Sequence, residues 1–461
     1  MSMGQREDER QGDLWLPTTS LARSPGHPFY EQVNRLLRDA GFDEKVEELC
    51  RPFYAEATGR PSIPPGVYFR MLLIGYFEGL DSEREIAWRC ADSLALRQFL
   101  GYALDESTPD HSSLCRIRKR LSVEVHESVF TLVLEILSDR GLLRGKTIGI
   151  DATTLEANAA LRSIVRRDDG TGYEDYLKKL AKESGIETPT RSDLAKLDRK
   201  RPKKGSNEDW EHPGDPDAQI TKMKDGRTHL AHKAEHAVDM DSGAVLAVTL
   251  HGGAAADTRT IFETMERASE QALELGRDMP PEWVADKGYH CNETMKMAAA
   301  LGLRSYISEP DRGKRNWKNK EDARRGTYAN RRRIRGERGR GLMRKRGELV
   351  ERSFAHCLET GGMRRTWLRG RANILKRYLV HVAAFNLGIV MRQILGAGTP
   401  KGVSALKGLL QGLWDFLNWL LKPVDHFLTD IVALRRLFRL GRHPRWVTRL
   451  PARLAPSSTG C

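Results

Sequence analysis

Between residues 146 and 308 the chain alternates short β-prone runs with helical patterns, and two of those runs end at an aspartate. Thr147, Ile148, Gly149 and Ile150 lead into Asp151; Trp283, Val284 and Ala285 lead into Asp286. Strand patterns at 232–239 and 244–249 flank Asp241, Ser242 and Gly243, which reads as a hairpin turn. Helical patterns at 258–276 and 292–301 alternate with strands at 282–286 and 303–308. A hairpin followed by alternating helix and strand predicts an α/β fold. In such folds functional groups gather at strand ends, where both aspartates stand.

A third acid, Glu351, lies in a stretch where Met343, Leu349, Val350 and Phe354 can share the apolar face of a helix. Hard divalent cations such as Mg²⁺ prefer carboxylate oxygens, and a two-metal phosphoryl-transfer site needs several of them where a phosphodiester reacts. Asp151, Asp286 and Glu351 are therefore candidate metal ligands. The plainer alternative is that Asp151 caps a turn, Asp286 pairs with Lys287, and Glu351 pairs with Arg352 or Arg346 on a surface. Glu348, one turn earlier, competes with Glu351 for the third position.

The chain's 76 lysines and arginines against 62 acids give a net charge of +14, which favours polyanionic partners. Residues 311–350 concentrate it, with 16 basic residues against 5 acids. Trp317 and Tyr328 are interleaved there, as suits stacking on nucleotides while phosphates are neutralised. Six cysteines, at 50, 90, 115, 291, 357 and 461, form no C-x-x-C pair, so neither a zinc framework nor a disulfide scaffold is indicated. The first residues are polar and charged, without the apolar core of a signal peptide. The apolar stretch 409–421 is too short for a membrane span. A cytoplasmic, nucleoid-associated location and no membrane partner are expected.

Residues 29–142 are helical in pattern. Pro65 begins an apolar helix, Ser82 with Glu85 forms a capping box, and a helix from Asp110 sets Leu114, Ile117 and Leu121 against basic Arg116, Lys119 and Arg120. That helix suits either a DNA groove or an ordinary solvated face. Residues 160–227 carry charge clusters and few apolar residues after Leu180, and are expected to be partly helical and partly disordered. At 373–394, Ile374, Tyr378, Val382, Phe385 and Leu387 should pack on the sheet, leaving Lys376, Arg377 and Arg392 to line a DNA side. Leu409, Leu410, Leu413, Trp414, Leu417 and Leu420 form an amphipathic stripe, and a basic tail runs from Arg435 to Arg453. Among the histidines, His290 is placed nearest the acids; His232, His236 and His251 read as core or loop residues.

Taken in order, TIGIDATTLEAN at 147–158, HKAEHAVDMDSG at 232–243, Asp257, WVADKGYH at 283–290, ELVERSFAH at 348–356 and RGRANILKRYLVHVAAFNLG at 369–388 resemble the DDE transposases of bacterial insertion sequences. PSIPPGVYFRMLLIGYFEGLDSEREIAWRC at 61–90 resembles the helical N-terminal domain of the same group. The resemblance implies an α/β catalytic core, a ribonuclease-H-like mixed sheet with flanking helices, preceded by an all-α domain. It makes Asp151, Asp286 and Glu351 the catalytic triad, holding two Mg²⁺ ions with Mn²⁺ as a substitute. Lys287, Arg352, Arg346, Lys233, Trp317, Arg331, Arg332 and Arg333 become the expected DNA contacts. The implied partners are double-stranded DNA, as terminal inverted repeats and target, and a second copy in a synaptic complex. Some related transposases have a Tyr before the catalytic Glu and a Lys after it; here Leu358 stands seven residues after Glu351 and no Tyr precedes it in its segment.

The expected organisation is a disordered 1–24, a DNA-binding helical domain at 25–142, a catalytic domain at 143–395 with a basic insertion at 160–227 and an Arg-rich segment at 309–347, and a helical, basic extension at 396–461. The expected activity is metal-dependent cleavage at insertion-sequence ends followed by strand transfer. A nuclease lacking strand transfer and a catalytically silent DNA-binding protein are the rivals.

Overall fold

In the computed structural model of the chain the described residues are 25–55, 62–201, 205–223, 226–405, 408–409 and 412–414. The expected disorder at 1–24, most of the stripe beyond Leu409 and the basic tail lie outside them. The described residues up to Val403 form one compact unit.

Helices fill the N-terminal region: α1 (Pro28–Asp39), α2 (Phe42–Cys50), α3 (Pro65–Glu78), α4 (Glu83–Asp92), α5 (Leu94–Leu100), α6 (His111–Arg120) and α7 (Val123–Asp139). Their starts follow local chemistry. Ser82 Oγ accepts the Glu85 N–H at 3.2 Å and opens α4, and the Asp110 carboxylate accepts the Ser113 N–H at 2.7 Å and opens α6. In α6 Leu114, Ile117 and the following Leu121 are buried, while Arg116, Lys119 and Arg120 are exposed.

The core follows as β1 (Thr147–Glu156), β2 (Val165–Arg166), α8 (Tyr173–Glu183), α9 (Arg191–Lys200), β3 (Trp210–Glu211), β4 (Gln219–Lys222), β5 (Thr228–Asp239), β6 (Val245–Gly252), α10 (Asp257–Glu274), β7 (Glu282–Ala285), α11 (Asn292–Ala300), β8 (Arg304–Ile307), α12 (Glu321–Arg335), α13 (Glu337–Ala355) and α14 (Arg371–Leu395). Strand β1 pairs antiparallel with β5 and parallel with β7, which pairs parallel with β8. β6 and the short β4 share the outer edge of β5. The order β6-β5-β1-β7-β8 is a ribonuclease-H-like mixed sheet. Gly243, at φ +78°, supplies the left-handed residue in the turn between β5 and β6.

Two of the outer strands, β6 and β8, each meet a buried asparagine. Asn386 of α14 accepts the Val245 N–H at 2.9 Å and donates to the Val245 carbonyl at 2.8 Å. Asn330 of α12 does the same for Ile307, at 2.9 and 2.7 Å.

The insertion is more ordered than its composition suggested. Trp210 is buried, with Tyr173 and Tyr176 edge-on at 5.2 Å, and Arg166 and Arg167 pair with Asp168 and Glu211. Three large rings make a small core where few aliphatic residues exist.

Helix α14 ties the halves together. It packs on α3, α7 and β6, and one continuous apolar core runs through Phe29, Leu72, Leu137, Ile150, Val245, Ile307 and Val390. The helical run 371–405 is long and apolar enough to cross a membrane, but 67% of its most apolar window is buried inside the fold. It serves as a core helix. Lys376 and Arg377 are buried there, which corrects their expected place on a DNA side: Lys376 donates to the Arg118 carbonyl and Arg377 to the Leu80 carbonyl.

His126, His236 and His381 are fully buried, and burial lowers their pKa values, to about 4 for His126 and about 3 for His236. An unfolded chain takes protons on these rings below about pH 6.5 while the folded chain does not. Stability is therefore full above that pH and falls as the pH drops toward 4. Each ring contributes a slope of up to about 1.4 kcal/mol per pH unit. Urea midpoints measured between pH 7 and 4.5 should decline, and His126→Phe should flatten the decline; an equally steep decline in that variant would remove His126 from the account.

Candidate active site

Because β1 and β7 run parallel with Ile150 opposite Ala285, the next residues, Asp151 and Asp286, come side by side; β7 ends there, whereas β1 runs on to Glu156, so Asp151 lies within its strand and not at the end of it. Asp286 opens a short turn (Lys287–Tyr289) and its carboxylate accepts the Lys287 N–H. Asp151 accepts the Ala152 N–H at 2.9 Å and an Arg346 N–H at 2.6 Å. Burial raises the pKa of Asp151; Arg346 opposes the rise, and the charge of Asp286 adds to it.

Arg346 arrives on α13, which crosses the sheet above β1. Gly149 permits the close approach: a Cβ there would stand 2.6 Å from Met240 Sδ, 3.2 Å from Val350 Cγ2 and 3.3 Å from Arg346 Cγ. His236 is the cross-strand neighbour of Asp151. Its Nδ1 bonds Ser353 Oγ at 2.8 Å, its Nε2 bonds the Tyr378 hydroxyl at 2.9 Å, and its ring stacks on Phe354 at 4.1 Å. Arg346, Val350, Ser353 and Phe354 thus form the inward face of α13. Glu351, about 100° around the helix from Val350, is exposed. Glu348 is also exposed and accepts from Arg352 at 2.5 Å. The fold brings Asp151 and Asp286 together. Among the described residues no group of three or more His, Cys, Asp or Glu side chains is gathered closely enough to hold a metal ion. Two adjoining hard-oxygen donors on parallel neighbouring strands fit a divalent cation, and Arg346 meets the negative charge of Asp151 in this structure.

The opposite face of β5 holds a second network. Glu235 is fully buried and accepts from Thr260, from Thr264 at 2.7 Å and from the Tyr289 hydroxyl at 3.1 Å. Lys233 donates to Asp257 and to the Ala255 carbonyl at 2.9 Å. A Cβ on Gly288 would lie 2.5 Å from an Asp257 carboxylate oxygen. Tyr289 and Gly288 therefore pin the turn that carries Asp286. Burial raises the pKa of Tyr289, with Glu235, Asp257 and Asp151 adding to the rise. Sequence reasoning gave neither Glu235 nor Tyr289 a role; the alternation of Lys233 and Glu235 along a β-prone run was the available signal.

Among the expected DNA contacts, Lys287 and Arg332 are exposed. Lys233 is not: its side chain is 6% exposed and paired within the fold, which corrects its assignment. Arg331 pairs with Glu309, and Arg333 donates to the Ser305 carbonyl and hydroxyl, so both brace β8. Trp317 is half-buried beneath Arg315, whose guanidinium lies 4.2 Å from the ring centroid. Arg346 serves Asp151. His290, expected near the acids, is fully buried and feels Glu309 and Arg315 as charged neighbours. Of the Arg-rich segment 309–347, the part from Glu321 on forms α12 and the first half of α13, while Arg312 and Arg315, which neighbour His290, precede it.

A family model described as a transposase domain (DUF772) matches residues 19–120, and a second, described as a transposase DDE domain, matches residues 207–387. A search of curated proteins gave no match. The second match contains Asp286 and Glu351; Asp151 lies before it. The two matches together span more than half of the chain, in the order of its helical and sheet-bearing regions. The chain belongs to the DDE transposases of insertion sequences, enzymes that act on DNA and use divalent metal ions.

Proposed function

We propose that the protein cuts DNA at the ends of a mobile element and joins the freed 3′-hydroxyl to target DNA, with Asp151, Asp286 and Glu351 holding two divalent cations, Mg²⁺ or in its place Mn²⁺. The observation that carries the reading is the adjacency of Asp151 and Asp286 on parallel central strands of a ribonuclease-H-like sheet. Two such cations, when bound, supply Lewis-acid stabilisation to the attacking and leaving oxygens of a phosphodiester. Arg346 opposes the rise that burial imposes on the pKa of Asp151. Lys287, exposed beside Asp286, can receive a phosphate of the bound strand. Helices α1 to α7 are the part suited to recognising element ends, and two copies would join two ends in a synaptic complex.

The test is a labelled duplex carrying the element's terminal repeats, supplied both intact and with a pre-cut 3′ end, together with target DNA and Mg²⁺. Joined products support the proposal. Cutting without joining would identify a nuclease, and binding without either reaction would identify a silent DNA-binding protein.

The exposed arginines of α12 and α13 predict how binding responds to salt. Arg332, Arg335, Arg340 and Arg344 are all exposed. Each phosphate neutralised on duplex DNA contributes about 0.9 to the slope of log affinity against log salt. Replacing all four with Ala should reduce that slope by up to about 3.6. An unchanged slope would take this face off the DNA.

A further inference from the structure

Helices α4 and α6, residues 363–368 and the first turns of α14 enclose a cavity of about 490 Å³, lined in part by Arg84, His111, Arg118, Trp367 and Arg377. Two acids, Asp81 and Glu83, line it as well, and both are already engaged. Glu83 pairs with Arg118 and accepts from Cys115, and Asp81 accepts the Trp367 indole N–H at 2.8 Å. Arg377 is 3% exposed; one of its nitrogens donates to the Leu80 carbonyl at 3.1 Å, while Nε and Nη1 are buried without a hydrogen-bond partner. Burial holds its pKa down at about 10. A buried guanidinium with unused N–H groups is costly unless an anion takes them.

Trp367 supplies the second requirement. It lines the same cavity yet is 48% exposed, with Arg365 standing 5.1 Å from its ring centroid. An accessible indole beside a cationic wall suits a nucleotide, since the ring stacks on any base and a guanidinium fork matches phosphate. The position also suits DNA. The Thr366 N–H donates to the Glu156 carbonyl at 2.9 Å, so this segment lies along the far end of β1. Glu156 is five residues beyond Asp151, roughly 17 Å along the strand. That distance corresponds to about five base-pair steps of duplex DNA.

We propose that this cavity binds one nucleotide of the DNA strand engaged by the core, its phosphate received by Arg377 and its base stacked on Trp367. The proposal rests on the reading that DNA is the substrate.

The test uses the full chain without divalent ions, an end-labelled single-stranded oligonucleotide, a duplex of the same sequence, and inorganic phosphate as competitor. Trp367→Ala should weaken oligonucleotide binding about tenfold, Trp367→Phe should restore most of it, and duplex affinity should stay near that of the unsubstituted chain. Arg377→Gln should weaken the oligonucleotide similarly. Should that buried substitution prevent folding, the two Trp367 variants decide alone, because Trp367 is half-exposed. Unchanged oligonucleotide affinity in Trp367→Ala would overturn the proposal. So would phosphate that binds the cavity, as judged by its loss in Arg377→Gln, without displacing the oligonucleotide; that result would assign the cavity to free phosphate. An unsubstituted chain that binds neither form of DNA would overturn the underlying reading instead.

Discussion

Asp151→Asn and Asp286→Asn should each lower DNA cleavage by about 10³-fold or more, a loss of roughly 4 kcal/mol or more of transition-state stabilisation, while duplex binding stays near that of the unsubstituted chain. Asn keeps the shape of the side chain and removes the charge, so the effect isolates the carboxylate. At position 151 the charge also holds Arg346, and its loss frees a guanidinium beside the site. The third donor is decided in the same gel-based assay. Glu351→Gln should match the aspartate variants and Glu348→Gln should retain most activity. The opposite pattern would reassign the third position to Glu348. Near-normal cutting by either aspartate variant would remove the adjoining pair from the chemistry.

Ending the chain after residue 370 should abolish folding of both the N-terminal helices and the sheet. α14 brings Ile374, Tyr378, Leu379, Val382, Phe385, Leu387, Val390 and Met391 into the shared core. Large buried apolar side chains contribute about 1.5–3 kcal/mol each. Eight of them outweigh the roughly 5–15 kcal/mol by which a domain is stable. Residues 25–142 expressed alone should fail for the same reason, because α7 and α3 lose the helix they pack on. Thermal melts followed by circular dichroism check this directly. A cooperative transition in either fragment would show that α14 is not what holds that region folded.

What was legible in the sequence was local. The caps at Ser82 and Asp110, the glycine turn at 243, and the strand that ends before Asp286 each follow from the chemistry of a few neighbouring residues; the strand leading into Asp151 was legible too, but not its continuation to Glu156, which rests on pairing with β5. Their alternation was enough to indicate the core. Burial of charge was not legible, because it depends on partners far along the chain. Lys233 reads as a surface cation until Asp257 is folded against it, and Lys376 and Arg377 read as an outer basic face until α6 and the turn after α3 close over them. His236 was read as a core histidine, and it is one. Its place opposite Asp151 depends on the register between β1 and β5, which no single segment carries. The Arg-rich stretch likewise gave its charge but not its division between arginines that brace β8 and those that face solvent.

The two buried asparagines bear on how copies of this protein can meet. An uncovered strand edge is a template on which a second chain can build, and sheets left open in that way tend toward edge-to-edge aggregation. At Val245 and at Ile307 both backbone groups are already engaged by a side-chain amide. Neither position can extend the sheet into a neighbouring molecule. A second copy is thereby turned away from strand addition at these two points by a pair of side-chain amides.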